Sequence, residues 1–281
     1  MLGEDSAGEP DEAGKLIAAP VERSTIFKGG TGIPIVKSQR LWEVDALRGA
    51  ALIMMVVYHA AWDLNYFGYY QESVATGGWY WFQQVTVTSF IFIAGVALWL
   101  SYSVHGRVRF ARYLDRGLKI LGWGFVITMV THLALKEGTV LFGVLHLIGV
   151  AVICAYPFLR FGRGNLALGT AFILIGNLLT RARIDYPCLA WLGLHPVDLY
   201  MVDYVPVFPW FGVVLLGVGT GGLLYPSGTR LVSLRDLGGR QPVQLLTLLG
   251  RNSLFIYFVH QPVLFGLLFL MRYVARIVAV L

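Results

Sequence analysis

Apolar residues gather along this chain into seven long runs, approximately 43–64, 80–103, 118–136, 139–159, 165–180, 205–225 and 252–274, with short polar stretches between them. An α-helix of about 20 apolar residues spans a hydrocarbon layer of about 30 Å. The pattern therefore predicts an all-α fold, a polytopic transmembrane helical bundle of about seven helices. The short fifth run and the long last one leave room for six to eight. The first 38 residues break the pattern. They hold Gly, Pro and the acids Glu4, Asp5, Glu9, Asp11, Glu12 and Glu22, without the apolar stretch of a signal peptide, and are expected to be a disordered tail. The expected division is thus 1–38 for the tail and 39–281 for the membrane bundle.

The first run is distinguished by its polar positions. Asp45, Arg48, His59 and Asp63 lie in a segment that otherwise reads Ala50-Ala51-Leu52-Ile53-Met54-Met55-Val56-Val57. At ~100° per residue, the step from Arg48 to His59 closes three turns to within about 20°, so both point the same way. Asp45 and Asp63 fall within about 60° of that direction. An arginine at the centre of a bilayer costs at least ~2.5–3.5 kcal/mol, so a stripe of this kind should face a protein interior or a wet cavity.

Composition strengthens the membrane assignment. Hydrophobic residues make up 57% of the chain and charged ones 14%, with a mean hydropathy of +0.66. A soluble domain of this length would need large exposed apolar patches to reach such values. The net charge of +6 follows membrane sidedness: 16 of the 22 basic residues fall on one side of the expected topology. On the other side are Lys136, Arg181, Arg183, Arg272 and Arg276. The positive-inside rule then puts the N-terminus in the cytoplasm and the C-terminus outside. Nucleic acid is not an expected partner, because the basic residues form no single face with interleaved aromatics. The group Arg107, Arg109, Arg112, Arg116 and Lys119 suits the phosphates of a cytosolic ligand, although topogenesis and anionic lipid predict the same residues.

On this topology Arg48 lies in the cytoplasmic half of the first helix and His59 about 16 Å further out. His132, His146, Asp203, Tyr204 and Trp210 fall towards the outer side, while His260-Gln261-Pro262 interrupts the last run. These residues could line one pocket. Each has a plainer explanation beside it. A lone intramembrane histidine often does no more than bond a neighbouring helix, as His132 and His146 could, and His59 could simply pair with Asp63 one turn on. His260 resists that explanation, since Pro262 opens the helix backbone beside it. His105 and His195 are expected in solvated loops. Cys154 and Cys188 fall on opposite sides and cannot form a disulfide, and no metal site is expected because neither has a partner at ligand spacing. No Gly-rich phosphate loop, nucleophile elbow or internal repeat stands out.

Several separated blocks carry a resemblance. The stretch Arg40-Leu41-Trp42-Glu43-Val44-Asp45-Ala46-Leu47-Arg48-Gly49-Ala50-Ala51-Leu52, followed by Met54-Met55-Val56-Val57-Tyr58-His59-Ala60-Ala61-Trp62-Asp63, resembles the bacterial branch of the heparan-alpha-glucosaminide N-acetyltransferase catalytic domain family. Gly143-Val144-Leu145-His146-Leu147-Ile148-Gly149-Val150, Phe208-Pro209-Trp210-Phe211-Gly212-Val213-Val214-Leu215-Leu216-Gly217 and Leu249-Gly250-Arg251-Asn252-Ser253-Leu254-Phe255-Ile256-Tyr257-Phe258-Val259-His260-Gln261-Pro262 are similar to its other blocks. The Arg48 to His59 spacing is also similar to the arginine-histidine pair of the acyltransferase-3 family.

The resemblance implies that 39–281 is a transmembrane acyltransferase domain in the bacterial inner membrane. Such an enzyme takes acetyl from cytosolic acetyl-CoA and passes it to an extracytoplasmic sugar amine or hydroxyl. It places the catalytic role on His59, as base or acetyl carrier. Neutral imidazole suits either task at cellular pH, and Asp63 could orient the ring. Arg48 and Asp45, with Arg112 and Arg116, are the candidate donor-binding residues. His146, Asp203, Tyr204, Trp210, His260 and Gln261 are the candidates for the acceptor side. Expected partners are acetyl-CoA as co-substrate, a glycan or amino-sugar acceptor, membrane lipids and a second copy of the chain. The bacterial branch lacks the large lumenal domain of the lysosomal enzyme, so the acceptor need not be heparan. Two other readings remain open on the residues alone, a proton-coupled secondary transporter of a small polar solute and a haem protein with histidine axial ligands.

Overall fold

The described residues form eight α-helices: α1 (Trp42–Tyr66), α2 (Gly77–His105), α3 (Phe110–Ala134), α4 (Val144–Cys154), α5 (Asn165–Leu179), α6 (Val207–Leu224), α7 (Gln241–Arg251) and α8 (Ser253–Val280). This is a computed structural model, and it describes residues 41–105, 109–135, 137–179, 181, 186–194 and 200–280. The expected tail 1–38, together with Arg40, Arg107, Lys136, Arg183 and His195, lies outside the described residues, as does the side chain of His105. Six helical stretches are long and apolar enough to cross a membrane: α1, α2, α3, α6, α8, and α5 together with the 3-10 segment Tyr156–Gly164 that leads into it. The chain is an all-α polytopic bundle.

Helix α6 is the most enclosed, packed between α2 and α5. Its glycines permit this. Gly217 crosses Gly95 of α2 so closely that a Cβ on either would run into the other helix's backbone, and Gly212 meets Gly169 of α5 in the same way. Small residues let membrane helices approach until van der Waals contact replaces the missing hydrophobic drive. Helix α1 packs on α2 and carries α7 and α8 on its other sides, while α3 pairs with α4. Two ends of the bundle can be told apart along α1, an Arg48 end and an Asp63 end. At the first, Glu43 is buried and receives both Nε and Nη2 of Arg230, each at 2.7 Å, with the Tyr225 hydroxyl at 3.3 Å. This bidentate pair fastens the segment after α6 to the start of α1.

The run 139–159, expected as one spanning helix, departs from expectation. Its α-helical part is the 11 residues of α4, and the stretch before it is non-helical. That stretch lies against the segment 202–205, where Val202 N–H donates to the Gly138 carbonyl (3.1 Å) and Val205 N–H to the Phe142 carbonyl (3.0 Å). Side chains take up further backbone groups. The Thr128 hydroxyl donates to the Val140 carbonyl (2.6 Å), and the Val140 N–H donates to the Thr131 hydroxyl (3.1 Å). At the first turn of α4, the Gly143 N–H donates to His146 Nδ1 (3.2 Å) and the Val144 N–H to Asp203 Oδ2 (3.1 Å). Non-helical backbone inside a membrane bundle is tolerated where protein supplies its hydrogen bonds, as it does here. Hydropathy cannot reveal such a break, because the non-helical residues Val140, Leu141 and Phe142 are as apolar as the helix they precede.

Two outcomes are expected from these contacts. Gly217→Val should lower the thermal midpoint in detergent by the equivalent of at least ~1–3 kcal/mol, the range for forced overpacking. Gly266→Val, where a Cβ would meet nothing within 4 Å, should leave the midpoint nearly unchanged. Similar midpoints for the two variants would contradict the packing of α2 on α6. The second concerns Asp203, whose carboxyl burial raises to about 6, against the opposing pull of the Val144 N–H and the Tyr257 hydroxyl. A carboxyl raised in the fold is penalised only where it ionises, so stability is lost as pH rises from about 4, the unfolded value, to about 6. The midpoint of the wild type relative to Asp203→Asn should therefore fall across that window and level off above it. A pH-independent difference would contradict the burial of Asp203.

Candidate active site

The polar stripe of α1 is divided between two settings. At the Arg48 end, Arg48 Nη1 contacts Asp45 Oδ1 at 3.1 Å, and Arg251 Nε approaches Asp45 Oδ2 at 3.5 Å from the end of α7. The approach depends on two glycines: Gly49 of α1 abuts the Leu246 carbonyl of α7, and Gly250 abuts the Asp45 carbonyl. Arg116 of α3 comes close enough to Arg48 and Arg112 for their charges to repel, with Asp45 as the carboxylate between Arg48 and Arg251. Arg112 and Arg116 are exposed, and Arg48 keeps 22% of its side chain accessible. Several guanidinium groups therefore gather around Asp45, a setting that attracts an anion. Arg251 was counted in sequence only as a loop charge. Its tie to Asp45 could have been suspected from Gly250 beside it, but only with the packing of α7 in hand.

Eleven residues further on, about 16 Å along the helix, His59 lines a cavity of about 50 Å³. Met55, Tyr58, Gln83, Thr86, Val144, Asp203 and Tyr257 are among its other walls. Helices α1, α2 and α8 thus close three sides, and the break before α4 closes the fourth. The expected partnership of His59 with Asp63 is not what the structure shows. Asp63 is fully buried, and its Oδ1 receives Gln261 Nε2 of α8 at 2.7 Å. His59 instead meets the His260 ring edge to face, with 4.9 Å between centroids. That separation leaves no room for a porphyrin between the two rings. Among the described residues no three His, Cys, Asp or Glu side chains converge as a metal site would require.

The remaining acceptor-side candidates separate into two groups. Asp203 reaches the cavity, where it accepts from Val144 N–H and from the Tyr257 hydroxyl. His146 is buried at the start of α4 but does not line the cavity. Its Nδ1 serves Gly143 and its Nε2 lies 3.3 Å from the Thr128 hydroxyl, so both nitrogens are committed to holding the break together. Tyr204 donates to the Ala190 carbonyl at 2.8 Å, and burial pushes its phenol up to about 12, which keeps it a donor. Trp210 is half-buried against the core in the first turn of α6. His132 is exposed, 3.5 Å from the Thr139 hydroxyl, and Cys154 and Cys188 are both exposed and free. Sequence reading missed Tyr257, although it lies three residues before His260 and so shares its helix face.

The family model described as heparan-alpha-glucosaminide N-acetyltransferase, catalytic, matches residues 40–262, a span that contains both ends of the α1 stripe, the break before α4 and His260-Gln261 of α8, a helix that runs unbroken through Pro262 where the sequence led us to expect an interruption. No curated protein and no solved structure matches the chain. The chain belongs to the heparan-alpha-glucosaminide N-acetyltransferase catalytic family and is, at that level, a transmembrane acetyltransferase.

Proposed function

We propose that this protein moves an acetyl group from cytosolic acetyl-CoA to a sugar amine or hydroxyl on the opposite side of the membrane, with His59 as the base. The observation that carries this reading is the position of His59, on the wall of a small cavity midway between a guanidinium-rich end and an end rich in aromatic rings. The basic residues support a cytosolic Arg48 end, because Arg109, Arg112, Arg116, Lys119, Arg160, Arg163, Arg230 and Arg240 flank the helix ends expected on that side. The N-terminus is then cytoplasmic and α8 runs outward. At the opposite end Tyr66, Tyr69, Tyr80 and Trp81 are exposed, which suits both a lipid interface and stacking against a sugar.

The chemistry follows from the two ends. Arg48 and Arg116 hold phosphate or carbonyl oxygens of the donor, and Asp45 balances Arg48 when the donor is absent. A cavity of about 50 Å³ accepts a two-carbon acyl group and excludes the body of CoA, which stays among the arginines. The acceptor approaches from the Asp63 end. His59 removes the proton from the attacking nitrogen or oxygen as the new bond to the carbonyl carbon forms. The carbon–sulfur bond then breaks, and the departing thiolate takes up a proton in turn. General base catalysis of this kind contributes ~10²–10⁴-fold in rate.

His59→Ala should therefore reduce acetyl transfer by about 10²–10⁴-fold while leaving acetyl-CoA binding and the thermal midpoint close to wild type. Turnover assays with radiolabelled acetyl-CoA, run beside equilibrium binding on the same preparations, make the comparison. Wild-type turnover in the variant would remove His59 from the chemistry, and loss of acetyl-CoA binding would make its role structural.

A further inference from the structure

Three buried polar atoms close to His59 have no hydrogen-bond partner: His260 Nε2, Gln261 Oε1 and Asp63 Oδ2. They belong to adjacent residues of α8 and to the acid that Gln261 grips across the helix interface. The hydrogen bonding of His260 fixes what its free nitrogen is. Its Nδ1 lies 2.7 Å from the Tyr257 carbonyl, which can only accept, so the Nδ1 position carries the hydrogen. In the neutral ring Nε2 is then a bare lone pair, enclosed in protein. The ring beside it is His59, edge to face at 4.9 Å, and among the described residues neither His59 nitrogen has a hydrogen bond. An unpaired acceptor and an unpaired donor thus occupy neighbouring rings. The His260 ring is held by its bond to Tyr257, so the His59 ring is the one that can turn to meet it, and catalytic hydrogen bonds are commonly long until substrate is bound.

We propose that His260 is the positioning residue for His59: its Nε2 accepts the His59 N–H, fixing the tautomer that leaves the other His59 nitrogen bare towards the cavity. This rests on the reading of His59 as the base. The neutral imidazole has one proton, and a tautomer with that proton facing the cavity could not remove another. Holding the N–H against His260 keeps the lone pair beside Tyr58, Thr86 and Asp203, where the acceptor's X–H must arrive. When that proton moves to His59, the charge of the resulting imidazolium is shared along the N–H to His260. The same proton then passes to the CoA thiolate, so both rings return to neutral and one proton has moved from acceptor to thiol. Gln261 keeps the pair in register. Its bond to Asp63, one turn beyond His59 on α1, clamps α8 to α1 beside the two rings.

The test compares wild type, His260→Ala, His260→Gln and His260→Met. Kinetics with acetyl-CoA and an amino sugar should show kcat reduced by about 10²-fold in the alanine and methionine variants, with KM for acetyl-CoA within about twofold of wild type. Free imidazole should restore activity to His260→Ala, and His260→Gln, whose amide oxygen can replace the Nε2 lone pair, should exceed His260→Met at least tenfold. Nitrogen-15 NMR of histidine-labelled protein gives a readout independent of turnover: the His59 tautomer should be single in wild type and mixed in His260→Met. An unchanged His59 spectrum in that variant, or equal activity of the glutamine and methionine variants, would overturn the proposal and leave the acetyltransferase reading intact. An inactive wild type with the expected tautomer change would instead contradict the function proposed for the site.

Discussion

Everything at the candidate site depends on one hydrogen bond between segments far apart in sequence, from the Val144 N–H to the Asp203 carboxylate. Helix α4 stops inside the bundle, and the first N–H groups of any helix lack partners of their own. Asp203 takes the Val144 N–H, His146 takes the Gly143 N–H just before it, and the 202–205 segment donates to the Gly138 and Phe142 carbonyls of the stretch that leads into the helix. A continuous helix would have filled this space. Because it is broken, Val144, Val202 and Asp203 instead form one wall of the cavity beside His59. A second polar contact, Gln261 with Asp63, seats α8, which supplies Tyr257 to the cavity, against α1. Neither contact touches the bare nitrogen of His59. Both determine that there is a space for it to face.

The two ends of α1 divide the work proposed for the protein. Around Asp45 the guanidinium groups of Arg48 and Arg251 stay partly accessible, so an anionic ligand can compete for them. Glu43 and Arg230 contrast with them. That pair is bidentate, buried on the acid's side and joined by Tyr225, whose backbone carbonyl also receives the Trp99 indole N–H at 2.9 Å. It anchors the frame in which the looser charges move. At the other end of α1 the aromatic residues Trp62, Tyr66, Phe67 and Phe265 form a chain of ring contacts, which stiffens the route by which an acceptor would reach the cavity.

Much of the fold was legible in the sequence, because a membrane span announces itself by length and hydropathy. The stripe on α1 was legible for the same reason: ionisable groups in an apolar run are costly, and helical periodicity says which of them share a face. What could not be read were contacts across elements. Asp63 looked like the partner of His59 because i,i+4 neighbours meet on a helix, yet α8 supplies Gln261 to the acid and His260 to the imidazole. His146 looked like a pocket residue, but the early end of α4 makes it a cap, and no hydropathy pattern marks that end. Asp203 drew attention as an acid beside a span, whereas its role as a cap in trans required knowing that 202–205 lies alongside 138–142.

We propose that acetyl crosses from the Arg48 end of the bundle to the Asp63 end. This is tested most directly in sealed liposomes holding the protein in one known orientation, with acetyl-CoA confined to one face and a membrane-impermeant amino-sugar oligosaccharide to the other. Acetylated oligosaccharide should form when acetyl-CoA meets the face bearing Arg48 and Arg116, and should not form when the two reagents are exchanged. Equal product from both arrangements, or product only when donor and acceptor share a face, would contradict transfer through the cavity at His59.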